Sequence, residues 1–417
     1  MYKGTLMKNN TMKKLVAVVL PVVLFAATVQ GAGFALYEYS ARGVAMGGAT
    51  VANEAEPASL ATNPSLITEL EGIQVQTGAT IVTAHAKATV NGDERSLKKD
   101  IWTLPNFYVT YKWSDQVYFG LGGFSRYGLG GEYKNHQDWT GSVLAYQVEL
   151  QTFSLTPTIA VKLSDELSAA MGLEAMTIDF TQRSLLSPMY GDASAYKLSG
   201  TGISWGGNFS FTYKPSWAEK WTLGAMYRTK VKQNLNGAID ARMEYPARNI
   251  YDADAKGAIS LPDSVTAGLS FRPTDNWTME AGIVGTFWSS YDQILIEYRD
   301  METTPTIHNM KNYKDTFRLN FGTEYWFLKN WAVRAGYVFD KSPINRHAMD
   351  TLVPVDDRHI GSIGFGYRND TWTADIAYAH IFGKSLNGTS SAQYGSLPMK
   401  YSDGRSDIFS FTVGYKF

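Results

Sequence analysis

The sequence predicts an all-β fold: a fourteen-stranded antiparallel transmembrane β-barrel with an N-terminal plug, or hatch, of short helices inside its lumen. Three observations point there. Long runs alternate apolar and polar residues, the connections between them alternate short and long, and the chain opens on an export-like segment and closes on an aromatic strand. A two-residue period marks a strand with one apolar and one wet face.

Residues 1–31 are expected to be a signal peptide. Lys8, Lys13 and Lys14 form a positive start, Leu15 to Val29 an apolar core, and Val29-Gln30-Gly31 a cleavage site with small residues at −3 and −1. The apolar run is short for a membrane-spanning helix, which needs about 20 residues. Removing its four lysines takes the net charge from −1 to −5, which argues against nucleic acid as a partner.

Residues 32–71 are expected to form the plug. Ser40-Ala-Arg-Gly43-Val-Ala-Met-Gly47-Gly48-Ala-Thr-Val-Ala52 is rich in small residues, with Ser40 placed to cap a short helix. Pro57 and Asn63-Pro64 then interrupt the chain. A periplasmic tail is the other reading of this segment. Small residues suit packing against a lumen wall, and a barrel this wide needs filling if it is not to leak.

Residues 72–417 are expected to be the barrel. Strands are read to start near Gly72, Ile101, Gln116, Tyr146, Glu166, Lys197, Glu219, Gly257, Asn276, Tyr313, Asn330, Arg358, Thr371 and Arg405. From Phe317 to Tyr325 the odd positions are mostly large and apolar, and later runs repeat the pattern. Arg318, Glu324, Arg334, Asp340 and Asp375 all fall on the polar face, where a lumen accepts charge that a sandwich core would not. Long connections are read near 86–100, 128–145, 184–196, 236–256, 299–312, 342–357 and 385–404, separated by short turns, as in outer-membrane barrels. The last strand, Phe409-Ser-Phe411-Thr-Val413-Gly-Tyr415-Lys-Phe417, alternates without a break.

Several segments resemble the FadL family of outer-membrane transporters for long-chain fatty acids and other hydrophobic compounds. They are Ala32-Gly33-Phe34; Asn63-Pro64-Ser65-Leu66-Ile67-Thr68; Leu261-Pro-Asp-Ser264 with Gly268-Leu-Ser-Phe271; Phe287-Trp288-Ser289-Ser290-Tyr291; and Asn330-Trp331 with Gly336-Tyr337-Val-Phe-Asp340-Lys-Ser-Pro343. The resemblance implies capture of a hydrophobic ligand at an outer apolar groove, transfer to an inner pocket, and hatch-gated exit sideways by the third strand, with no cofactor. Phe34 would then occupy the inner pocket at rest, while Asn63 and Pro64 hold the hatch's shape. Arg183 and Lys311 stand in the neighbourhoods where the family places head-group cations. Trp139, Leu185 and Leu186, with Tyr127, Leu129, Met189 and Tyr190, are candidates for an exposed capture surface; the other reading is that they pack on each other to cap the barrel. The closing Phe417 resembles the assembly signal of Gram-negative outer-membrane barrels. It implies an outer-membrane location, with the barrel assembly machinery and membrane lipid as partners. A monomer is expected.

Enzymatic readings have little support. The chain has no cysteine, and its six histidines show no metal spacing and no nucleophile motif. The alternatives to transport are a general diffusion porin and a structural or adhesive barrel.

Overall fold

The computed structural model describes residues 33–98, 101–186, 195–243, 248–298, 307–352 and 356–417. The expected signal segment 1–31, and Met189 and Tyr190, lie outside the described residues.

Fourteen antiparallel strands close into one barrel. They are β1 (Ile73–Val90), β2 (Asp93–Ser96 and Ile101–Lys112), β3 (Val117–Phe124 and Gly128–Glu132), β4 (Gln147–Lys162), β5 (Leu167–Leu185), β6 (Ala195–Tyr213) and β7 (Trp221–Arg228 and Val231–Met243). There follow β8 (Arg248–Leu261 and Ser264–Thr274), β9 (Trp277–Thr286 and Gln293–Tyr298), β10 (Ile307–Met310 and Thr316–Leu328), β11 (Trp331–Asp340), β12 (Arg358–Arg368), β13 (Trp372–Gly383 and Leu386–Thr389) and β14 (Pro398–Lys416). The ring shuts where β14 pairs with β1, from Gln74↔Lys416 to Val90↔Met399. Pairing of each strand with its neighbours around the ring is what permits strands to sit in lipid.

The strands are longer than the sequence suggested. The expected connection at 86–100 is mostly strand: β1 and β2 join through Asn91-Gly92, both at positive φ, the two-residue hairpin turn that an Asn-Gly pair favours. The expected loop at 236–256 likewise belongs largely to β7 and β8, and β14 begins at Pro398 rather than Arg405.

These extensions were masked because parity inverts along the barrel. Toward the short turns, Phe321, Tyr325, Ile363, Phe365 and Ile376 point outward and are exposed, while Arg318, Glu324, Arg334 and Asp375 point inward. Toward the long loops the apolar residues point inward. Met176, Ile178 and Phe180 of β5, Leu235 and Ile239 of β7, and Ile294 and Ile296 of β9 join one buried cluster, with Asp179, Asn234 and Asn236 outside. The lower barrel is therefore apolar outside and polar within, and the upper barrel is the reverse.

The plug occupies the lower lumen. Helix α1 (Ala41–Ala45) is capped by Ser40, whose hydroxyl accepts from Gly43 N at 3.0 Å. Helix α2 (Ser59–Thr62) leads through Asn63 into a 3₁₀ turn, Pro64–Glu69, with Pro64 in the first turn where its missing N–H is harmless. The wall is shaped to receive it: a Cβ at Gly336 would stand 2.3 Å from Gly47 N, and one at Gly224 would stand 2.0 Å from Val51 O. Glu280 accepts from Val51 N at 2.7 Å and Ala52 N at 3.2 Å. Arg42 reaches Glu324 at 2.9 Å, and Arg334 joins Glu324 at 2.5 Å to Asp375 at 2.6 Å.

Candidate functional site

The N-terminal end of the plug meets an interruption in the wall. β3 breaks at Ser125-Arg126-Tyr127, and the register of β3 on β4 shifts there by one residue. This is a β-bulge, and bulges bend a strand away from its neighbour. β2 and β3 pair as far as Phe107↔Gly123 and next meet only at the Leu97↔Tyr133 bridge. Among the described residues, the stretch between has no ladder, which leaves a gap in the pairing of the wall.

Residues 34–36 bind the inner side of that break. Ala35 bridges Tyr127 antiparallel, Leu36 N donates to Arg126 O at 2.8 Å, and Gly128 N donates to Phe34 O at 2.9 Å. Tyr127 N–H donates to the Thr152 hydroxyl at 3.0 Å, and that hydroxyl donates back to Tyr127 O at 2.7 Å. The plug and one threonine thus satisfy backbone groups that a regular strand would have paired.

Phe34 is 0% exposed. Its ring stands edge-on to Trp288 at 4.8 Å, Tyr291 at 5.1 Å and Tyr127 at 5.9 Å, with Tyr313 behind the first two. Edge-to-face packing at these distances is the favoured aromatic geometry. Gly33 has φ +64°, and a Cβ there would lie 2.5 Å from the Trp288 ring, so only glycine fits. Trp288 and Tyr291 stand where β9 breaks, between Thr286 and Gln293. An aromatic run replacing alternation is the trace this leaves in sequence.

Below Phe34 lies a small cavity of about 50 Å³. Leu36, Val51, Met226 and Val284 give it an apolar side, and Arg126 and Arg228 also line it. A second space, at the short-turn end, is bordered by Arg42, Glu54, Glu56, Arg334, Arg368 and Asp375. Charge of that density suits water and repels an alkyl chain.

The other expected site residues lie as follows. Asn63 is buried, bonding Val51 O at 2.6 Å and the Thr212 hydroxyl at 2.9 Å through its amide nitrogen, and so links plug to wall. Lys311 is 1% exposed, with Asp350 at 2.5 Å. Arg183 is half-buried beside Gln147 at 3.1 Å, on the face of β5 opposite the buried Gln182 and Ser184. Trp139, expected to be exposed, is 2% exposed, and Tyr127 and Leu129 are similarly covered at 3% and 2%. The indole of Trp139 packs on Tyr133 at 4.4 Å and donates to Asp93 O at 3.0 Å, a loop aromatic finding its own small core. Leu185 and Leu186 are half-buried at the end of β5. Reading the sequence passed over Arg126, Arg228 and Glu174. A lone Arg after the glycine-rich run Gly120–Phe124 was the available signal.

A family model described as outer membrane protein transport protein (OMPP1/FadL/TodX) matches residues 22–417. The long-chain fatty acid transport protein of Escherichia coli K12 is 23% identical, the match covering 99% of this chain and 100% of that protein. A Pseudomonas aeruginosa FadL homologue superposes with a TM-score of 0.83 at 18% identity, covering 92% of this chain and 100% of that one. The Pseudomonas putida toluene transporter TodX superposes at 0.71 and 18% identity, covering 92% and 99%.

Proposed function

Since the chain belongs to the OMPP1/FadL/TodX family of outer-membrane transport proteins, not enzymes, we propose that it carries hydrophobic molecules, foremost long-chain fatty acids, passively across the outer membrane through its own wall. The observation that carries this reading is the double role of residues 34–36: one end fills the aromatic cage, and the backbone beside it closes on the break in β3.

A signal peptide cut after Gly31 would leave Phe34 third in the mature chain. Ligand then gathers on the apolar lining of the upper lumen, where each buried CH₂ contributes about 0.8 kcal/mol. It displaces Phe34, and the segment leaves the β3 break with it. The cavity and the wall gap become continuous, and the ligand leaves into lipid. The charged space beneath the plug opposes a straight path to the periplasm. Arg183 and Lys311 are secondary in this scheme, because each already has a partner. Trp139, Leu185 and Leu186 act by shaping the loops around the entrance.

A general diffusion porin fits poorly, because α1, α2 and the 3₁₀ turn are bonded to the wall around the lumen. Two measurements test the proposal. Uptake of radiolabelled fatty acid by cells lacking other such transporters should depend on this protein. Planar bilayers should show no large steady ion current; such a current would replace the transporter with a pore.

A further inference from the structure

The cavity under Phe34 carries more positive charge than transport of neutral hydrocarbons requires. Arg126 and Arg228, 4% and 2% exposed, share one carboxylate oxygen: Glu174 Oε2 is 2.8 Å from the first and 3.5 Å from the second. Their remaining contacts are neutral. Arg126 Nη2 donates to the Tyr127 hydroxyl at 3.2 Å, and Arg228 Nη2 to Ala61 O at 3.0 Å. The Phe124 ring lies 5.3 Å from the Arg228 guanidinium. No acid is among the described residues lining the cavity. Two guanidinia, which cannot lose their protons, thus face one cavity with a single negative charge between them. A buried charge without a counterion is unfavourable, and a carboxylate is the partner whose geometry suits the guanidinium fork.

We propose that Arg126 and Arg228 form a carboxylate site, holding the ionised head of an amphiphilic acid whose chain lies along Leu36, Val51, Met226 and Val284. The proposal rests on the transport reading and specifies its substrate class: fatty acids rather than neutral aromatic hydrocarbons. Arg126 belongs to the break in β3 itself, so the head group is held at the inner mouth of the wall gap. Lys311, the cation singled out from sequence, is engaged with Asp350 and does not line this cavity.

Equilibrium binding of radiolabelled dodecanoate and 1-dodecanol to the full-length protein in neutral-lipid nanodiscs at pH 7.5 tests this. Wild type should prefer dodecanoate. Arg126→Met and Arg228→Met should each weaken dodecanoate about 10- to 100-fold, the scale of a charged hydrogen bond, and change dodecanol less than about threefold. Glu174→Gln, which removes the competing carboxylate, should tighten dodecanoate. Should an arginine variant fail to fold, this arm decides: weaker dodecanoate binding by Glu174→Gln overturns the site. Equal losses for both ligands, or unchanged dodecanoate binding, also overturn it. A wild-type protein that binds both ligands without preference removes the carboxylate site alone. One that binds neither removes the transport reading with it.

Discussion

Phe34→Ala isolates the latch from the barrel. The ring is fully buried and touches three other rings, and truncating such a side chain costs about 3–5 kcal/mol. The lower figure applies here, because a chain end can relax into part of the vacated space. At 1.4 kcal/mol per factor of ten, about 3 kcal/mol lowers the ratio of closed to open latch by roughly 100-fold. Amide hydrogen exchange reads this directly at two positions. Leu36 N–H is held by Arg126 O, and Gly128 N–H by Phe34 O, so both bonds break when the segment leaves. Both amides should exchange about 100-fold faster in the variant, with β11–β14 unchanged. Because ligand and Phe34 compete for one cage, the apparent affinity for dodecanoate should tighten as the open fraction rises. Unchanged protection at Leu36 and Gly128 would refute the latch. So would a uniform rise across the whole barrel, since that reports global loosening.

Glu280→Ala removes the carboxylate that accepts from Val51 and Ala52; with charged hydrogen bonds worth about 1.5–3 kcal/mol, these two amides should exchange at least 10-fold faster. Gly336→Val puts a side chain where Gly47 N sits 2.3 Å from the would-be Cβ; the plug should unseat, and single-channel recordings should show ion current absent in wild type. Pro105 and Ser125 face each other across the gap by the register that ends at Phe107↔Gly123. In this cysteine-free chain, cysteines at both positions joined by a bis-maleimide should abolish fatty-acid uptake, and either single cysteine should leave it intact; uptake that survives the cross-link places the exit elsewhere.

The lower barrel was legible because lipid on one side and a charged lumen on the other force strict alternation, as from Phe317 to Tyr325. The upper barrel also alternates, but with Leu235 and Ile239 turned inward and Asn234 and Asn236 outward. Polar faces meeting water read as loop. Phe34 was accessible through its likeness to a known start, whereas its cage was not. Trp288 and Tyr291 come from the break in β9 and Tyr127 from the break in β3, and the two breaks converge only through the barrel's curvature. Arg126 and Arg228 are 102 positions apart and meet through Glu174 of a third strand, a juxtaposition with no local signature. Trp139 misled for a simpler reason: an aromatic in a long loop looks exposed until the loop supplies its own cover.

The seat of the plug also bears on how the protein is made. Ala41 N–H is bonded by Thr412 of the last strand, Ala45 O by Ser362 of the twelfth, and Asn63 by Thr212 of the sixth. Helices of five and four residues are too short to persist alone. They acquire their shape only from a cylinder whose final staple has already arrived. A half-built barrel would therefore stand open, and under the proposed lateral exit, sealing the membrane and arming that route would fall in one and the same step at the end of biogenesis.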